Sequence, residues 1–105
     1  MSFIDYARRL VAIYKLNSYK KSVAKSIANC ELAKQWINHK DPKQVQILLQ
    51  INAWGLKKMG LWWIASDMYL AGAAVVSDWV TACQYINSTI KSLKTAQAEL
   101  EQVKL

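Results

Sequence analysis

Apolar positions recur at helical spacing almost throughout the chain. Near the start, Phe3, Tyr6, Leu10 and Ile13 advance by three and four residues, and Ser2 with Asp5 three residues on has the form of a capping pair. Asn17-Ser18 interrupts this stripe, and a second one follows through Val23, Ile27, Cys30, Ala33 and Ile37. Either two helices meet near residue 17 or one helix shifts its buried face there; the polar pair favours a bend or short break. The clearest boundary is HKDPKQ, residues 39–44. Pro42 biases Asp41 away from helical angles and itself suits a first turn, so Asp41 is the expected N-cap of a helix running through QVQILLQINAWGLKKM. Gly55 and Gly60 each weaken that helix by about 1 kcal/mol relative to Ala, and a kink or loop falls naturally near Gly60.

Beyond that point Trp62, Ala65, Tyr69, Gly72, Val76, Trp79, Cys83, Ile86, Ile90, Leu93, Gln97, Leu100 and Lys104 alternate steps of three and four, a heptad seam with two polar exceptions. Such a seam requires a facing helix. The expected fold is therefore all-α: an antiparallel bundle of three to four long helical segments in one domain, residues 1–105. Ile90, Leu93 and Leu100 extend beyond what so small a chain would cover. Self-association is expected along Trp79, Cys83, Ile86, Ile90, Leu93 and Leu100, giving a homo-oligomer.

The segment GLWWIASDMYLAGAAVVSDWV, residues 60–80, has the length of a membrane span. An aspartate near the centre of a span costs about 2.5–3.5 kcal/mol, whereas each Leu, Ile or Val returns about 0.3–0.6 kcal/mol. With Asp67 and Asp78 both present, the segment reads as a buried or interfacial helix. In a continuous helix the two aspartates would share a face with Ala71 and Ala74, where basic groups from the first half of the chain could meet them.

Charge separates the two halves. Residues 1–58 carry eleven of the fourteen Lys and Arg and a net charge of +8; the Trp-rich heptad half, 59–105, carries −1. The stretch YARRLVAIYKLNSYKK interleaves tyrosines with Arg8, Arg9, Lys15, Lys20 and Lys21, and Lys25 follows. These six residues are candidates for contact with a nucleic-acid backbone or another polyanion, with the aromatics available for stacking. Lys57 and Lys58 precede Trp62 and Trp63, a grouping suited to anchoring at anionic headgroups.

The residues give little support to catalysis. His39 is the lone histidine, Cys30 and Cys83 fall on apolar stripes, and the carboxylates are scattered. There is no Cys-x-x-Cys pair, Gly-rich phosphate loop or HExxH motif, so no catalytic residue, metal, cofactor or small-molecule substrate is inferred. Trp54 and Gly55 are adjacent, so the Trp-x-Gly turn of small helical-hairpin secretion substrates is absent. The N-terminus lacks the apolar core of a secretory signal, which favours an intracellular (cytoplasmic) setting or a nucleoprotein or virion-type assembly. The leading expectation is a non-enzymatic, self-assembling protein that binds nucleic-acid backbone without sequence specificity. A peripheral membrane protein and an adaptor or inhibitor for an acidic protein are the alternatives.

Overall fold

The computed structural model describes residues 3–38 and 41–103, which form four helices and no strand. They are α1 (Phe3–Trp36), α2 (Pro42–Lys58), α3 (Trp62–Val75) and α4 (Trp79–Glu101). The all-α expectation holds. Ser2, His39, Lys40 and Lys104 lie outside the described residues. The helices pack in a ring, α1 on α2, α2 on α3, α3 on α4 and α4 back on α1, with the diagonal pairs apart. The result is a rod of 57 × 20 × 20 Å, two helices across at interaxial spacings of about 8–10 Å.

Two helix boundaries differ from the sequence reading. α1 runs without a break for 34 residues, so no helix boundary falls near residue 17. It contains no Pro or Gly, and Asn17 and Ser18 are exposed, where their weak helix propensity costs only a few tenths of a kcal/mol each. The heptad seam, in contrast, is divided between two helices. Asp78 takes an extended conformation and caps α4: its Oδ1 accepts from the backbone N–H of Val80 at 3.1 Å and of Thr81 at 3.2 Å. The Thr81 hydroxyl donates to Oδ2 at 2.6 Å. This hydroxyl bond, followed by the backbone bonds, holds the Asp78 carboxyl below its ordinary value. Asp78 therefore shares no helix face with Asp67. A three-and-four spacing records only which residues face inward, and two consecutive helices that both face the core preserve it across a turn.

The remaining joints follow local chemistry. Asp41 Oδ1 accepts from the Lys43 N–H at 2.9 Å, with Pro42 opening α2 as expected. At the other end of α2, Gly60 adopts φ 84°; its N–H donates to the Lys57 carbonyl at 3.0 Å and the Leu61 N–H donates to Leu56 at 3.0 Å. This crossed pair of bonds is the Schellman closure, which requires a left-handed residue.

The core takes Val23, Cys30 and Ala33 from α1, Val45, Leu49, Ala53 and Leu56 from α2, and Ile64, Ala65, Met68, Ala71 and Val75 from α3. α4 adds Ala82, Ile86, Ile90 and Leu93. Asn52 is the main polar insertion: it accepts from Asn29 Nδ2 at 2.8 Å and donates to the Leu48 carbonyl at 3.0 Å. That bond fixes the register of α1 on α2. Among the described residues, no buried side-chain nitrogen or oxygen lacks a partner. Ile86, Ile90 and Leu93 of the expected self-association seam are thus covered by the chain's own helices.

Candidate functional site

Three of the four helices end or turn at one level of the rod, and α1 continues past it. Lys20 Nζ lies 3.8 Å from Glu101, which places the end of α4 beside the middle of α1. Tyr19 and Val23 of α1 line one cavity together with Met59 and Leu61 of the α2–α3 turn and Leu100 of α4. Residues 3–18 therefore project beyond the bundle by about 24 Å at 1.5 Å per residue. The first buried residue of α1 is Val23.

The projecting arm is amphipathic, and its phase explains why the bundle leaves it bare. At 100° per residue, Ile13, Tyr6, Leu10, Phe3, Tyr14, Val11 and Ile4 occupy an arc of about 180°. The centre of this arc lies roughly 150° around the helix from the direction of Val23, Ser26, Cys30 and Ala33, which face the core. The arm's apolar face consequently points away from its own bundle. Phe3 is 83% exposed and Tyr14 is 74% exposed. The sequence reading placed Phe3, Tyr6, Leu10 and Ile13 on a buried stripe; the structure exposes all four. Each large apolar side chain is worth about 1.5–3 kcal/mol when taken fully out of water.

Basic groups border the arc on both sides. By the same projection, Arg8 and Lys15 lie just beyond Ile4 on one margin, and Arg9 and Lys20 lie beyond Ile13 on the other. Lys21 and Lys25 continue the line of the arc along α1 toward the bundle. The six basic candidates thus surround an apolar face and do not converge on a single strip. Their long aliphatic stems allow the charges to rise beside such a face.

The tryptophans sit elsewhere. Trp54, Trp62, Trp63 and Trp79 are all more than half exposed, so of the buried and interfacial readings of residues 60–80 the buried one fails for Trp62, Trp63 and Trp79. Lys58 Nζ stacks 3.6 Å from the Trp54 ring centroid, and Lys57 Nζ stands 4.9 Å from that of Trp62. Ile47, Ile51 and Trp54 form an outward stripe on α2, and Trp62, Tyr69 and Leu70 form one on α3. Because α3 is diagonal to α1, the α3 stripe and the arm's apolar arc face opposite sides of the rod. Trp63 instead turns to the cavity at the bundle end, where Leu100 is half-buried. Cys83 is half-buried, whereas Cys30 is buried and its thiol is pushed up to about 12, by burial first and then by the charge of Glu31.

Among the described residues, no group of three or more His, Cys, Asp or Glu is placed to hold a metal. No described helix is long and apolar enough to cross a membrane. α3 spans 14 residues, about 21 Å, against a hydrocarbon thickness of about 30 Å. Comparison with protein-family models, curated proteins and solved structures found no match to this chain.

The arm was recoverable from sequence through one signal. The two apolar stripes of α1 are out of phase, so in an unbroken helix only one of them can face the bundle. Reading the phase shift as a bend concealed the exposed face.

Proposed function

We propose that this protein is a non-enzymatic, peripheral membrane protein that attaches to anionic lipid surfaces through the arm of α1. The carrying observation is an apolar arc that points away from the molecule's own bundle and is bordered on both margins by Lys and Arg. In this reading α1 lies in the plane of the surface. Phe3, Ile4, Leu10 and Val11 enter the acyl boundary, Tyr6 and Tyr14 sit at headgroup level, and Arg8, Arg9, Lys15, Lys21 and Lys25 meet lipid phosphates. Each basic residue near such a surface adds about 1 kcal/mol. A nucleic-acid backbone is the weaker match, because an apolar half-cylinder separates the two rows of basic groups and would have to be left against phosphate.

Self-association is supported by a different surface from the expected line of Trp79, Cys83, Ile86, Ile90, Leu93 and Leu100. The outward stripes of α2 and α3, with Ile47, Ile51, Trp54, Trp62, Tyr69 and Leu70, remain available to a second copy when the arm is on lipid. The short turns at 59–61 and 76–78 support an antiparallel course for α2, α3 and α4.

Flotation tests the principal reading. The chain should rise with vesicles rich in phosphatidylserine and remain behind with phosphatidylcholine vesicles. Leu10→Asp with Tyr14→Asp should abolish flotation while leaving the helical circular dichroism unchanged. No flotation, together with salt-dependent binding to RNA or DNA of arbitrary sequence that survives both substitutions, would assign the basic residues to nucleic-acid phosphate.

A further inference from the structure

The cavity where α1 leaves the bundle has a volume of about 340 Å³. It exists because of the uneven helix lengths: α2 and α3 turn here and α4 stops, while α1 runs on, so this end of the core stays open. Val23, Met59, Leu61, Ala96 and Leu100 give it an apolar floor. Tyr19, Trp63 and Glu99, all exposed, stand at its rim. Its size lies in the range of small-molecule sites, about 300–1,000 Å³. An apolar cavity of about 150 Å³ admits one benzene ring, so this one has room for a body of one to two rings. Water finds few polar partners on such a floor, and an apolar body displaces it favourably.

The charges around the opening restrict the occupant. The chain carries a net charge of +7, yet among the described residues the cavity is lined by Glu99 and by no Lys, Arg or His. The neighbouring cations are engaged elsewhere. Lys20 Nζ stands 3.8 Å from Glu101, Lys57 Nζ 4.9 Å from the Trp62 ring centroid, and Lys58 Nζ 3.6 Å from that of Trp54. Glu99 and Glu101 lie about 160° apart around α4 at 100° per residue. Because Glu101 faces α1, Glu99 is left on the flank toward α3, where Trp63 lies in the first turn. The rim therefore joins a carboxylate to two aromatic side chains. A cation held there is attracted by the carboxylate and by the negative ring faces together. An anion would meet the repulsion of Glu99.

We propose that this cavity binds a hydrophobic organic cation, an arylalkylamine. Its ring system fills the space between Val23, Leu61 and Leu100, and its ammonium sits at the rim beside Glu99 and Trp63. The apolar body supplies most of the affinity, and Glu99 sets the preference for positive charge, since an exposed ion pair contributes little by itself. This site is separate from the outward arc proposed to rest on lipid, and its occupancy requires no vesicle.

The test is a vesicle-free NMR titration of the isotopically labelled chain. Tryptamine is the probe, and indolepropionate is its counterpart, with the same ring body and the opposite charge. Tryptamine should saturate one site per chain, shifting the Trp63 indole N–H and the backbone signals of Leu61 and Leu100. Indolepropionate should bind at least fivefold more weakly. Glu99→Gln, at an exposed position, should weaken tryptamine binding about threefold and cut the preference over the acid to about twofold. Ala96→Phe, which fills the cavity, should weaken both ligands at least tenfold; if its spectrum loses the folded dispersion, Glu99→Gln decides. Leu10→Asp should leave binding unchanged. Absence of saturable shifts overturns the proposal, as do shifts centred on Trp54 and Trp62, equal binding of amine and acid, or a preference that Glu99→Gln leaves intact. Loss of vesicle flotation with tryptamine binding preserved would reject the membrane reading alone.

Discussion

Gly60 and Gly55 are five residues apart and should respond to alanine in opposite directions. Gly60 has φ 84° at the Schellman closure, so Gly60→Ala should lower stability by about 1 kcal/mol or more in urea unfolding. Gly55 lies within α2 in a right-handed conformation with open space around it, and Gly55→Ala should raise stability by about 0.4–1 kcal/mol. Asp78 supplies a pH dependence. Its folded-state carboxyl titrates below the ordinary value of 3.8 because of Thr81, so its contribution is complete above that value and is lost as pH falls through the folded one. Asp78→Asn keeps an acceptor for the cap without the charge; the stability difference between wild type and this variant should shrink on acidification below about pH 4. The thiols differ as well. Cys30, buried and with its pKa pushed up to about 12, should resist alkylation until the chain unfolds, while the half-buried Cys83 should react in the native state.

The individual helices show which patterns in the sequence could be read directly and which could not. The Asp41-Pro42 start of α2 was legible because capping is local chemistry: an acceptor before the helix, and a ring that tolerates the first turn. The Asp78 cap used the same vocabulary, with Thr81 three residues on, but the unbroken heptad spacing across it masked the turn. The exposed state of Trp79 was not legible, and for Trp62 and Trp63 burial and an interfacial position both stood open, because residue type fixes the preference for burial and only tertiary contact supplies a cover. α1 carries both lessons. Its unbroken course follows from the lack of Pro or Gly, and its exposed arc follows from the phase difference between its stripes. Core and arm should therefore separate under mutation. Leu49→Ala, at a fully buried site in α2, should destabilise by about 2–5 kcal/mol in urea unfolding. Leu10→Asp, on the arm, should change stability by less than about 0.5 kcal/mol.

For the whole molecule, the ring of four helices packs a shared core and leaves apolar surfaces outside it, two of which bear on attachment and self-association. One is the arm, bordered by cations; the other is the α2–α3 surface, where lysines stack on tryptophan rings. A rod attached by the first face leaves the second free. Ile51→Glu should accordingly reduce the mass measured by light scattering at high concentration without affecting flotation. The central claim is that the arm's arc enters lipid while the bundle stays folded above it, and site-directed nitroxides read this directly. In a Cys83→Ser background, labels placed singly at residues 6 to 16 on phosphatidylserine vesicles should show oxygen accessibility oscillating with a period of about 3.6 residues. Positions 10 and 14 should be deepest, and positions 8, 9 and 15 near the headgroups. Uniform exposure of every label to the aqueous relaxant, in the presence of bound vesicles, would contradict the account.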